Sequence, residues 1–151
     1  MIVYRICKSK YRDDISGNGS KLYGSRWNNA GIPLLYTTEH ISLAALEMLV
    51  HITFDEIPTQ FHLMHIKIPD NSPIVELKHG KLKKLWEEDE EYTAWIGSEF
   101  IREKKSICMK VPSAIIAEEN NYLLNPLHPD YKKIQIAQAR PFNFDKRLLH
   151  P

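Results

Sequence analysis

The sequence predicts an α+β fold: one compact domain in which a central sheet of short, mixed or antiparallel strands is flanked by helices. Three observations lead there. Short apolar runs bounded by proline and turn residues recur along the chain, as strands require. Helical stretches are few, two or three. Strands and helices do not alternate, so the βαβ rhythm of a doubly wound sheet is missing. At 151 residues the chain reads as a single domain, residues 1–151, long enough to bury a core.

The elements follow in order. IVYRI at 2–6 reads as a strand, followed by a polar, glycine-bearing loop through DDISGNGSKLYGSRWNNAG. PLLYT at 33–37 reads as a second strand, and Thr38, with Glu39 in the first turn, begins a helix running to about Ile52. TQFHLMHIKIP at 59–69 and SPIVEL at 72–77 read as strands. A charged helical region spans about 81–104, and its EEDEE run reads as a solvated face. Strand patterns then recur at 106–117, 121–126 and 131–144.

The first helix carries apolar residues on two faces: Ile41, Ala45, Met48, Leu49 and Ile52 on one, and Leu43, Leu46 and Val50 on another. A narrow stripe of His40, Ala44, Glu47 and His51 runs between them at helical spacing. Periodicity alone turns that stripe towards water.

Composition excludes several classes. With 43% hydrophobic and 26% charged residues, the chain is an ordinary globular sequence. A formal net charge of +1 lacks the concentrated basic excess of a nucleic-acid binder. Cys7 and Cys108 are too few for a disulfide framework and form no CxxC pair. They read as reduced thiols of a cytoplasmic protein. The N-terminal apolar run is too short for a signal peptide, and no stretch is long enough to span a bilayer.

Familiar catalytic motifs fail in turn. Gly17-x-Gly19 lacks the third glycine of a dinucleotide fingerprint, and Gly19-x4-Gly24 is followed by Ser25-Arg26 where a P-loop needs Lys-Ser/Thr. Glu47 and His51 lie one helical turn apart, but no HExxH or matching cysteine joins them, so no metal site is expected. No GxSxG elbow surrounds Ser113. Taken singly, Arg26 reads as a surface or loop-anchoring residue, Tyr36 as a core aromatic, Glu47 as solvent-facing and Ser113 as a turn residue. Their conjunction asks for another explanation.

Several blocks supply one: YRI at 4–6, GNG…YGSRWNNAG at 17–31, LLYTTEHISLAALEMLVH at 34–51, VPSAIIAEENNYLLNPLHPDY at 111–131 and PFNFDKRLL at 141–149. In this order they resemble the RES domain, the toxin half of RES–Xre toxin–antitoxin pairs, named for an arginine, a glutamate and a serine. Ser25 departs from the pattern, where the family commonly has a second glycine.

The resemblance implies a fold similar to ADP-ribosyltransferases and NAD⁺ as substrate, with no separate cofactor. The expected reaction is cleavage of the nicotinamide–ribose bond, by a glycohydrolase or a phosphorylase-like route. Transfer of ADP-ribose to a protein is the alternative, and an inactive RES-like binding module is a second. Carried over, Arg26, Glu47 and Ser113 match the family's catalytic residues, Tyr36 its pocket tyrosine, and Arg5 a supporting position. Arg26 and Arg5 suit a diphosphate, Tyr36 or Trp27 a flat nicotinamide cation, and Glu47 the positive charge that develops on ribose. Ser113 would orient the ribose, the nicotinamide amide or Glu47. The implied partner is an Xre-type helix-turn-helix antitoxin that carries the DNA binding this chain lacks, in an assembly that allows a homodimer.

Overall fold

The computed structural model describes residues 1–53 and 60–149. Among them seven strands form one sheet in the order β4-β5-β6-β2-β1-β3-β7. The strands are β1 (Ile2–Lys8), β2 (Leu35–Thr38), β3 (Phe61–Lys67), β4 (Ile74–Glu76), β5 (Cys108–Pro112), β6 (Asn120–Leu124) and β7 (Gln135–Phe142). Only β4 and β5 pair in parallel; the other neighbours are antiparallel. The α+β expectation therefore holds, and the sheet is mixed.

Side-chain alternation sorts the core onto two faces. Val3 and Cys7 of β1, Leu35 of β2, Met64 and Ile66 of β3 and Leu124 of β6 pack on one. Ile6 packs on the other beneath α2 (Ile41–Leu49), with Leu63 and Ala44. Met109, Val111 and Leu123 point that way too, packing with Phe100 and Ile101 of α3 (Glu90–Glu103) and with Trp27. Both longer helices thus cover the same face. Between them the sheet is weakly joined: β1 pairs with β3 from Ile2–Lys67 to Lys8–Phe61, but with β2 only at Tyr4–Thr38. The splay leaves a slot.

Boundaries differ from the sequence reading where tertiary contacts overrule local pattern. Thr38 does not open a helix. It remains in β2, paired with Asn121, and its hydroxyl donates to the His40 carbonyl at 2.7 Å, so α2 starts at Ile41. The helix expected over 81–104 is shorter, because 3₁₀ turns at His79–Lys81 and Trp86–Glu88 precede it and Leu85 adopts φ 58°. α3 begins where the Asp89 carboxylate accepts from the Tyr92 amide at 2.9 Å. The EEDEE run is therefore partly structural: Asp89 is a cap, while Glu88, Glu90 and Glu91 are exposed.

The expected strand over 106–117 ends at Pro112, and that over 131–144 starts only after a 3₁₀ turn at Tyr131–Lys133. The first expected residue of β3, Thr59, lies outside the described residues. α1 (Asn18–Tyr23), inside the glycine-bearing loop, has no signal in the sequence. It depends on a distant contact, the Ser20 hydroxyl donating to the Leu34 carbonyl at 2.6 Å.

Both cysteines are free and buried, and burial pushes the Cys108 thiol well above its ordinary value. No helix among the described residues is long and apolar enough to cross a membrane.

Among the glycines, the closest approach of neighbouring backbone is at Gly97 of α3. A Cβ built there would lie 1.8 Å from the Trp27 carbonyl oxygen. Gly97→Ala should therefore force the helix off the Trp27 segment and cost about 3 kcal/mol, read as a lower urea midpoint with unchanged secondary structure at low denaturant.

Candidate active site

α2, the β1–β2 slot and the loop after α1 enclose a cleft of about 730 Å³, within the usual range for cofactor-sized ligands of about 300–1,000 Å³. Arg5, Arg26, Tyr36 and Glu47 all line it, together with Tyr23 and Asn121. Of the stripe on α2, Ala44, Glu47 and His51 border this cleft, while His40 and His51 are also exposed to solvent.

The segment carrying Arg26 is fixed from several directions. Asn28 is fully buried, and its amide donates to the Ser20 and Ile32 carbonyls, both at 2.9 Å. The Tyr36 hydroxyl donates to Asn28 Oδ1 at 2.7 Å and accepts from the Trp27 amide at 2.9 Å. From α3, Thr93 donates to the Arg26 carbonyl at 2.6 Å, and the Ser98 hydroxyl accepts from the Asn29 amide at 2.9 Å. Gly24 adopts φ 74°, with the Ala30 amide nitrogen 2.9 Å from where a Cβ would sit, so glycine is required for this turn.

With its backbone held, Arg26 extends to the cleft. Its guanidinium donates to the Glu87 carbonyl at 2.7 Å and lies 3.5 Å from Glu90, an exposed carboxylate. Exposed ion pairs of this kind contribute little, so the guanidinium remains available to an anion.

Arg5 reaches across the slot and donates to the Tyr36 carbonyl at 3.0 Å. Burial holds its guanidinium below the ordinary arginine value, with Asp14 among the charges that oppose the shift. Arginine still stays charged, and no carboxylate among the described residues pairs with it. A desolvated, unpaired cation favours an incoming anion.

Glu47 lines the same cleft. One of its carboxylate oxygens, Oε1, accepts from Asn121 Nδ2 at 2.7 Å and from the Ser113 hydroxyl at 3.3 Å. Ser113 itself is 1% exposed, and its oxygen accepts the Ile115 and Ile116 amides at 3.0 and 3.2 Å. Of the three roles open to Ser113 in the sequence, the geometry provides the contact with Glu47.

Trp27 borders the cleft as well, but it is 1% exposed and its ring packs on Trp86 at 5.7 Å, so it serves chiefly as the core anchor that carries Arg26. Asn28, Thr93, Ser98 and Asn121 were not singled out, although Asn28 and Asn121 lie inside the quoted RWNNAG and AEENNYLL blocks. Among the described residues no group of three or more His, Cys, Asp or Glu side chains could hold a metal ion.

A fold with this cleft and this arginine–glutamate–serine arrangement is of one recognisable class. The RES domain family model matches residues 2–145, and the chain belongs to that family. Within it the chain groups with the Res toxins. Toxin Res of Photorhabdus laumondii is 43% identical over 153 residues, covering 99% of this chain and 97% of that protein. The Prs ADP-ribosylating toxin of a Sphingobium species is 33% identical, covering 91% of this chain and 88% of that one. Among solved structures, a chain of the M. tuberculosis MbcT–MbcA toxin–antitoxin complex superposes with a TM-score of 0.76, covering 94% of this chain and 84% of that chain. At 17% identity that likeness concerns the fold.

Burial raises the Tyr36 hydroxyl well above its ordinary value of 10.0, so it stays protonated and donates to Asn28. Tyr131 is raised for the same reason. The unfolded chain therefore loses these protons first as pH rises, and the stability present below about pH 10 is lost above it. Urea midpoints should be level from pH 7 to 9 and fall towards pH 11. At neutral pH, Tyr36→Phe keeps the ring but strands the Trp27 amide and Asn28 Oδ1. It should lower unfolding free energy by about 2 kcal/mol in the same assay.

Proposed function

We propose that this toxin takes NAD⁺ into the cleft and splits its nicotinamide–ribose bond. The observation that carries the reading is that Arg26, Arg5 and Glu47 line one cleft, with the Glu47 carboxylate held there by hydrogen-bond donors. Arg26 and Arg5 match a diphosphate, whose oxygens accept the forked donors of guanidinium. The half-buried ring of Tyr36 offers an aromatic wall for the flat nicotinamide cation.

In the reaction the C–N bond breaks heterolytically and its electron pair goes to the nicotinamide nitrogen, which becomes neutral. Positive charge moves to the ribose C1–O bond, as in glycoside hydrolysis. Glu47 stabilises that charge at close range in a site partly withdrawn from water. Water then adds to C1 and loses a proton, giving ADP-ribose.

Transfer to a protein side chain is the second reading, favoured by the relative named as an ADP-ribosylating toxin. Both readings share the bond-breaking step and differ in what reaches C1. The resemblance to a toxin–antitoxin complex supports an antitoxin partner, and we take it to be of the Xre type, supplying the DNA contacts in the cytoplasmic complex.

The test is nicotinamide release from NAD⁺ by the purified chain freed of antitoxin. Glu47→Gln should lower kcat by about 10²–10³-fold without loss of fold. Arg26→Ala should raise KM by about ten- to a hundredfold. With labelled NAD⁺ and a cell lysate, free ADP-ribose identifies hydrolysis and a labelled protein band identifies transfer. A folded native chain that releases no nicotinamide under either condition would leave only the binding-module reading.

A further inference from the structure

We infer that Asn121 is the residue that orients the Glu47 carboxylate, acting as its principal donor ahead of Ser113. This rests on Glu47 being the group that faces the substrate.

The distances rank the two donors. Asn121 Nδ2 lies 2.7 Å from Glu47 Oε1, the short separation of a hydrogen bond to a charged acceptor, whereas Ser113 Oγ lies 3.3 Å away. The serine oxygen is also committed elsewhere. It accepts two backbone amides, from Ile115 and Ile116, so its main work is to close the turn after β5.

Both donors fall on the same carboxylate oxygen. The other oxygen of Glu47 has no protein donor among the described residues, and Glu47 lines the cleft. The carboxylate is thus gripped by one oxygen and presents the other. A glutamate with free χ torsions would sample many directions; this one is limited to those that keep the Asn121 contact.

Asn121 itself is arranged for that purpose at its own expense. It is 8% exposed, and its Oδ1 is buried with no hydrogen-bond partner. Turning the amide over would place that oxygen against a carboxylate and lose the donor, so the orphaned carbonyl follows from the demand of Glu47. The backbone beneath it cannot drift. Asn121 pairs with Thr38 on one side and Val111 on the other. The preceding residue repeats the device on the opposite side of the strand, where Asn120 Nδ2 donates to Glu39 at 3.2 Å. An Asn-Asn pair is a poor strand sequence; here each amide serves a glutamate bordering or within α2.

The test uses the full-length chain, with kcat and KM for NAD⁺ and thermal melting as readouts. Asn121→Ala should lower kcat by about ten- to a hundredfold and leave KM within about twofold. Asn121→Asp has nearly the shape of asparagine but sets a carboxylate against Glu47, so it should lose more activity and melt lower than Asn121→Ala. A packing role predicts the reverse order, and that order would overturn the inference. The exchanged pair Glu47→Gln with Asn121→Asp returns a donor and an acceptor to the contact. It should melt above Asn121→Asp alone while remaining inactive, and a pair that melts no higher would equally overturn it. If the native chain releases no nicotinamide, the NAD⁺ reading falls by itself, and the melting series still decides the Asn121–Glu47 contact.

Discussion

The close approach of α3 to the Trp27 segment is the constraint on which the rest of the site depends. A helix can lie against another piece of backbone only where it has no side chain, and Gly97 supplies that position. Thr93 and Ser98, on the same buried side of α3, then bond the backbone of Arg26 and Asn29. Trp27 is thereby driven into the core beside Trp86, and its neighbour Arg26 is turned outward to the cleft. Tyr36 and Asn28 complete the frame from below. The arginine is placed by its backbone, while its guanidinium is only lightly held by Glu87 and Glu90.

The opposite wall is built on different terms. Glu47 comes from α2, and its donors come from the hairpin of β5 and β6. Carboxylate and guanidinium are thus delivered by separate units, and among the described residues no ion pair joins Glu47 to Arg26 or Arg5. Arg5 adds a cation desolvated by the slot itself. Such a site brings charge of both signs to one cleft.

Much of this was legible in the sequence, and unevenly so. The strands were readable because their apolar runs end at prolines and turn residues, as around Phe61–Lys67 and Ile74–Glu76. Arg26, Tyr36 and Glu47 were readable through the resemblance, and they do line one cleft. The direction of the α2 stripe was not, because helical periodicity separates polar from apolar faces but does not distinguish a cleft from solvent. α1 was invisible since a six-residue helix bounded by two glycines has little intrinsic stability. The burial of Trp27 was not legible, because a tryptophan beside an arginine reads alike whether its ring stacks on a ligand or fills the core. Asn121 was missed because an asparagine in a strand carries no pattern of its own; only its distance to Glu47 shows its use.

The splay between β1 and β2 has a mechanical meaning. A single paired position, Tyr4–Thr38, joins the strands β4-β5-β6-β2 to β1-β3-β7, so the backbone ladder treats the sheet as two plates meeting at a seam. Arg5 belongs to one plate, while Tyr36 and Asn121 belong to the other. Any molecule that touches both closes the seam with its own bonds and becomes, while bound, a rivet of the protein fold. By the same bonds, a ligand that binds only the folded chain adds to its stability across that join.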